Sequence, residues 1–160
     1  VASVVVVVMA GRPREAVHEE PVWRDRANFI IAAEIAGESE VKTEQLWARQ
    51  VDEHRFEISC IPFFVYDLAL GDVVETDGGY IVRRVVEPSG RFVFRVWFGE
   101  SFHPRDEIAD EIKALGSLIE WSSPNLLAVD AVDKEHAEMV AGFLAERERE
   151  GQLVYETGRR

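Results

Sequence analysis

Cys60 is the chain's single cysteine. The stretch that carries it, CIPFFVYDLALGDVVETD (60–77), also holds Pro62 and a Gly71-Asp72 step into an apolar run. A cysteine nucleophile needs a base within hydrogen-bond reach and surroundings that favour the thiolate. The nearest imidazole in sequence, His54, lies six residues earlier, and along one unbroken strand that separation spans about 20 Å, far beyond contact. His18, His103 and His136 can reach Cys60 only through tertiary folding. Cys60 alternates in register with Phe56 and Ile58 and reads as a small buried core residue. An imidazole bonded to this thiol inside a water-accessible pit would overturn that reading.

Other constellations resolve in the same direction. Asp72 reads as a turn residue whose carboxylate bonds a nearby backbone N–H. His136 sits on an apolar helix face and reads as a satisfied boundary residue. Asp106, Glu107, Asp110 and Glu111 read as the solvated face of an amphipathic helix, and ERERE (146–150) as an exposed helix end with alternating charge. Neither G-x-G-x-x-G nor the P-loop lysine motif occurs, HEEPV is not H-E-x-x-H, and ETDGG lacks calcium-loop spacing. GRFVFRVWF has the aromatic alternation of an RNA-stacking strand, but it lies on the wrong strand and the net charge opposes it. No catalytic residue, metal ligand or cofactor is assigned from the sequence.

The elements that position these residues follow from hydrophobic periodicity. NFIIAAEI (28–35) puts Phe29, Ile31, Ala33 and Ile35 on one strand face. EQLWARQV (44–51) reads as a strand that turns at DEH into RFEISCIPFF (55–64). A meander follows over residues 71–98, with Asp77-Gly78-Gly79 expected to supply the positive-φ positions of one turn and Pro88-Ser89-Gly90 making the next. In its last strand Phe92, Phe94, Val96 and Phe98 face one way, and Arg91, Val93, Arg95 and Trp97 the other. After residue 100 the period becomes helical. Ile108, Ile112 and Leu115 form one stripe, with Gly116 as C-cap. Asp133 caps a second helix that ends at Gly151. SLIEW, LLAVDAV and QLVYET supply strands, so the order from residue 91 is βαββαβ. The expected fold is α+β: a flexible N-terminal arm (1–21), an antiparallel β-rich, barrel-like subdomain (22–90), and a ferredoxin-like sandwich (91–160).

At 160 residues, with 47% hydrophobic and 10% aromatic content, the chain is long enough for a packed core. Its net charge of −12 repels phosphate backbones and anionic lipid, so neither nucleic acid nor membrane is an expected partner, whereas a basic protein is. A single cysteine cannot form an internal disulfide, which suits a reducing compartment, most simply the cytoplasm. The opening VASVVVVVMAGRP has no positive charge before its apolar run and falls short of the ~20 residues of a spanning helix. Val1 reads as a GTG start translated literally, with Met9 as an alternative start.

EQLWA (44–48), IPFF (61–64) and GDVV (71–74), with LLAVDAV and the closing GQLVYETG, make the chain similar to a bacterial family known as domain of unknown function 4265. The resemblance spans about residues 22–158 and implies a small, soluble bacterial protein. It brings no activity and no catalytic residues.

Two functions remain in view. One is a non-catalytic binding protein, immunity-like, whose acidic surface captures a basic partner. The other is a small-molecule sensor or enzyme with a cleft between the two halves, lined by Trp47, Phe64, Trp97, Glu100 and His103. Polar groups converging in a deep pocket favour the second, and a closed core with a broad acidic face favours the first. On the face shared by Arg95 and Trp97, packing against the first subdomain is weighed above an open aromatic-cationic surface.

Overall fold

The structure is a computed structural model that describes residues 14–99 and 105–160. Over these residues it is a mixed α+β fold of two sheets and two helices. The first sheet begins with β1 (Arg14–Ala16), followed by a short 3-10 turn at Arg24–Arg26, β2 (Phe29–Glu34) and β3 (Val41–Gln50). It continues through β4 (Arg55–Ile58), β5 (Val73–Thr76) and β6 (Val82–Glu87). The ten-residue β3 is its hub, pairing antiparallel with β2 and β4 and parallel with β1. β5 and β6 extend it as the expected meander, and a bridge from Ala32 to Ile81 brings β6 back towards β2.

Period-two patterning explains this core. Ile31 and Ala33 on β2, Leu46 and Ala48 on β3, and Phe56 and Ile58 on β4 are buried together with Cys60. The turn after β5 forms differently from the expectation. The left-handed residue is Tyr80, at φ 61°, while Gly78 and Gly79 keep negative φ. Asp77 makes this possible: its carboxylate accepts the N–H groups of Gly79 (2.9 Å) and Ile81 (3.0 Å) and holds the loop in place.

The second sheet has the order β10-β7-β9-β8, with β7 (Phe92–Trp97), β8 (Ile119–Ser123), β9 (Leu126–Ala131) and β10 (Val154–Thr157). Its two helices, α1 (Arg105–Ala114) and α2 (Lys134–Arg149), cover one face. Asp133 caps α2 by accepting the His136 N–H at 2.8 Å, and Gly116 takes φ 95° just beyond α1, both as the sequence indicates. Phe94, Val96, Ile108, Ile112, Val140 and Leu144 fill the space between sheet and helices. The opposite face turns towards the first sheet. There Val93 and Ala128 pack against Ile61, Phe63, Ala69 and Leu70 in a third cluster that joins the two sheets.

The N-terminal segment enters this junction. Within the stretch expected as a flexible arm, Arg14–Ala16 pair with β3, and Ala16 and His18 are buried. Residues 1–13 lie outside the described part. No helix among the described residues is long and apolar enough to cross a membrane.

Candidate functional site

Along β7 the contact between the sheets changes character. Val93 is packed at 3% exposure, Arg95 is still buried at 5%, and Trp97 is 43% exposed. The sheets touch at one end of this strand and part at the other, leaving a cleft of about 520 Å³. One wall comes from the first sheet: the β2–β3 loop at Ile35, Ala36 and Ser39, and the segment after β4 carrying Phe63, Phe64 and Tyr66. Arg95, Trp97, Leu126 and Val154 form the other. Register explains that wall, since Trp97 pairs with both Leu126 and Val154, and Arg95 with Glu156, on one face. The Arg95–Trp97 face, expected to pack against the first subdomain, is closed at Val93 and Arg95 and opens at Trp97.

Two residues expected in a cleft, Phe64 and Trp97, line it together. Trp47 does not. It has the opposite parity to the inward-facing Glu44, Leu46 and Ala48, so it lies on the other side of β3 beside Ala27–Ile30. There its indole N–H donates to the His18 carbonyl at 3.0 Å, and the Arg24 guanidinium sits 5.3 Å from its ring. Glu100 and His103 lie outside the described residues.

Arg95 is the polar centre of the cleft. Its Nη2 donates to the Val65 carbonyl, and its guanidinium lies 4.5 Å from the Tyr66 ring. Nε and Nη1 have no hydrogen-bond partner among the described residues. The Glu156 carboxylate stands 3.6 Å from Nη1, is half exposed, and accepts the Tyr66 hydroxyl at 2.7 Å. Arg160, at the rim, lies over the same Tyr66 ring at 4.0 Å.

Behind the Phe63–Tyr66 wall lies a second constellation that sequence reasoning missed. His18 is fully enclosed between two carboxylates: its Nε2 lies 2.8 Å from Glu44 Oε1 and its Nδ1 2.8 Å from Glu120 Oε1. A neutral imidazole has one acceptor nitrogen, which would repel a carboxylate oxygen, so this geometry requires both nitrogens to donate. Phe63 stacks on the imidazole with centroids 4.0 Å apart. Each carboxylate also binds backbone. Glu44 accepts the successive N–H groups of Phe63 (2.6 Å), Phe64 (2.9 Å) and Val65 (3.0 Å), an anion nest, and Glu120 accepts Ile61 N–H at 2.5 Å. The cluster therefore ties β1's extension, β3, the cleft wall and β8 together across the sheet junction.

The electrostatics match that geometry. Burial alone would lower His18, but contact with Cys60 and hydrogen bonds to Glu120 and Glu44 outweigh it and hold the imidazole well above 6.5. Burial opposes the Glu44 charge too, yet His18 and the N–H groups of Phe63 and Phe64 keep Glu44 below 4.5. Cys60 lies against His18, so the lone thiol does have an imidazole neighbour. Burial, however, pushes it above 9.0 despite the His18 charge, with Glu120 and Glu44 adding to the rise. Cys60 is 0% exposed. With the thiol protonated, the charge on His18 rests on the carboxylates, and the water-accessible pit a nucleophile requires is not there. Native protein is therefore expected to leave Cys60 unreacted with a soluble disulfide reagent until denaturant is added; stoichiometric labelling under native conditions would contradict this enclosure.

The sequence carries signals for the burial of each member, though not for their meeting. Glu44 heads the inward row Leu46–Ala48, Glu120 has the opposite parity to the helix-facing Ile119 and Trp121, and His18 shares parity with buried Ala16. The other single-residue readings match their sites. Asp72 accepts the N–H groups of Ala69 (2.9 Å) and Ser89 (2.7 Å). His136 accepts from Val132 N–H at 3.0 Å through Nδ1, and Nε2 lies 2.9 Å from the Leu115 carbonyl. His54 is half-buried, with Nε2 3.8 Å from the Glu53 carboxylate. The acidic residues of α1 are exposed. Among the described residues no group of three or more His, Cys, Asp or Glu is placed to hold a metal ion.

A solved structure of a hypothetical protein from Neisseria gonorrhoeae is similar over 81% of this chain and 94% of its own, at 21% identity and a TM-score of 0.66. At that identity the likeness concerns the fold. No curated protein matches the chain. The sequence pattern described as a domain of unknown function (DUF4265) matches residues 44–155, a span that takes in the cleft walls from Phe63 to Val154 and both carboxylates of the His18 cluster.

Proposed function

The chain belongs to the DUF4265 family, and since that membership carries no activity, we propose from the geometry that the protein binds a small molecule in the cleft between its sheets. The observation that carries this reading is the buried Arg95 guanidinium among aromatic walls, with Nε and Nη1 lacking partners. Small-molecule sites are concave and mostly apolar, of about 300–1,000 Å³, with a few placed polar groups. At about 520 Å³ the cleft falls inside that range.

The carrier is read as a barrel-like half joined to a ferredoxin-like sandwich. The Ala32–Ile81 bridge supports the first half, and the β10-β7-β9-β8 order beneath two helices supports the second. A reducing compartment, the cytoplasm, suits a lone buried thiol. Capture of a basic protein partner remains a second reading. The net charge of −12 supports it, and it would use the outer acidic surface and not the cationic cleft.

The test is a screen of aromatic fragments read by amide and side-chain NMR shifts. Perturbations are expected to cluster on Phe64, Tyr66, Trp97 and Val154. Trp97→Ala removes an exposed side chain that the core does not need, and should weaken a cleft-bound aryl fragment by about fivefold or more. Shifts confined to other surfaces, or affinity indifferent to Trp97, would overturn the reading.

A further inference from the structure

Resting on the cleft reading, we infer that the ligand is an organic acid: a carboxylate on an aryl or similarly apolar body, its acid group seated on Arg95 in competition with Glu156.

A guanidinium with 95% of its surface withdrawn from water is costly unless anions and acceptors replace the lost hydration. Val65 satisfies one nitrogen of Arg95, and two nitrogens remain without hydrogen bonds. Glu156 supplies negative charge only at 3.6 Å, too long for a hydrogen bond, while its nearer commitment is to the Tyr66 hydroxyl at 2.7 Å. Arginine therefore sits beside an anion that fails to engage it. A ligand carboxylate entering from the cleft can make the charge-assisted bonds that Glu156 does not.

The rest of the cleft fits the body of such an acid. Phe64 and Trp97 offer aromatic surfaces, Leu126 and Val154 apolar ones, and Arg160 places a second cation at the rim beside Tyr66. The protein as a whole is acidic, at −12, so long-range fields do not draw an anion in. Selection arises from local pairing, where desolvation makes one good ion pair count for more than the net charge.

The experiment titrates full-length protein with naphthylacetic acid and, separately, with its uncharged amide. The acid is expected to bind about tenfold or more tightly than the amide, with shifts on Phe64 and Trp97 in both cases. Arg95→Gln brings the acid down to the amide's affinity and leaves the amide unchanged. Glu156→Gln alters a half-exposed residue, so its folding is not at issue. It removes the competing charge and raises acid affinity severalfold. Equal affinity for acid and amide within the cleft, or weaker acid binding in Glu156→Gln, would overturn the inference while leaving the cleft reading intact. Failure of both compounds to perturb the cleft would overturn the cleft reading, and this inference with it.

Discussion

His18→Ala is expected to lower the unfolding free energy by about 3–5 kcal/mol, the range for breaking a buried ion pair from one side. The substitution leaves Glu44 and Glu120, each within 2.8 Å of the lost imidazole, with a void between them and no cation. It also strips the stacking partner from Phe63. For a chain of this size the loss corresponds to a fall in Tm on the order of 10 °C. Replacing the whole cluster with apolar residues is not expected to restore stability, although such swaps do so for some buried ion pairs. Here the carboxylates also hold the N–H groups of Ile61, Phe63, Phe64 and Val65, which would be left unsatisfied. Equilibrium urea unfolding of the single variant measures the effect. A cost below about 1 kcal/mol would mean that His18 is not the cation the geometry requires.

Stability should also fall as pH rises from the acid range through neutrality and on through the raised His18 value. Two groups act in that direction. His18 has a folded value above its ordinary 6.5, so its contribution is complete below 6.5 and disappears as pH climbs through the folded value. The charged and titratable groups facing it are Glu44, Glu120 and Cys60. Asp130 is a carboxyl raised to about 6, chiefly by burial, with the Arg91 guanidinium pulling the other way. Its ionisation is penalised in the folded state, so stability is lost between its ordinary 3.8 and about 6. Glu44 acts with opposite sign and at lower pH. Held below 4.5, it contributes fully above 4.5 and ceases to do so as pH falls through its folded value. The profile therefore peaks on the acidic side. His18→Ala should flatten its alkaline limb and Asp130→Asn the limb between about pH 4 and 6. A maximum at alkaline pH, or a limb indifferent to His18, would contradict this assignment.

What the sequence made legible was local. Strand faces on β2, β3 and β7 follow from alternation, and α2 from the Asp133 cap and the spacing of His136, Val140 and Leu144. Asp72 and His136 were readable because Ala69 and Val132 lie within four positions. The His18 cluster was not. Its members are 26 and 102 positions apart, and nothing short of the sheet junction brings them together. The cleft was half legible. The parity of β7 put Arg95 and Trp97 on one face, but only three-dimensional packing decides that Val93 closes the junction and Trp97 leaves it open. Trp47 lies outside the cleft for a reason of register: beside inward Leu46 and Ala48 it has to point the other way. Tyr80 shows the same limit at a turn, where Asp77's hydrogen bonds outweigh the convenience of glycine.

The seat of His18 changes where the folding unit must be taken to begin. The family pattern starts at residue 44 and the first long strand at Phe29, so a truncation drawn from either would look harmless. It would discard the counter-ion of a dry interior and leave Glu44, which also orders the cleft-lining segment, without its partner. A chain begun at Phe29 would thus lose the shape of its ligand-facing wall even though no residue of that wall had been removed.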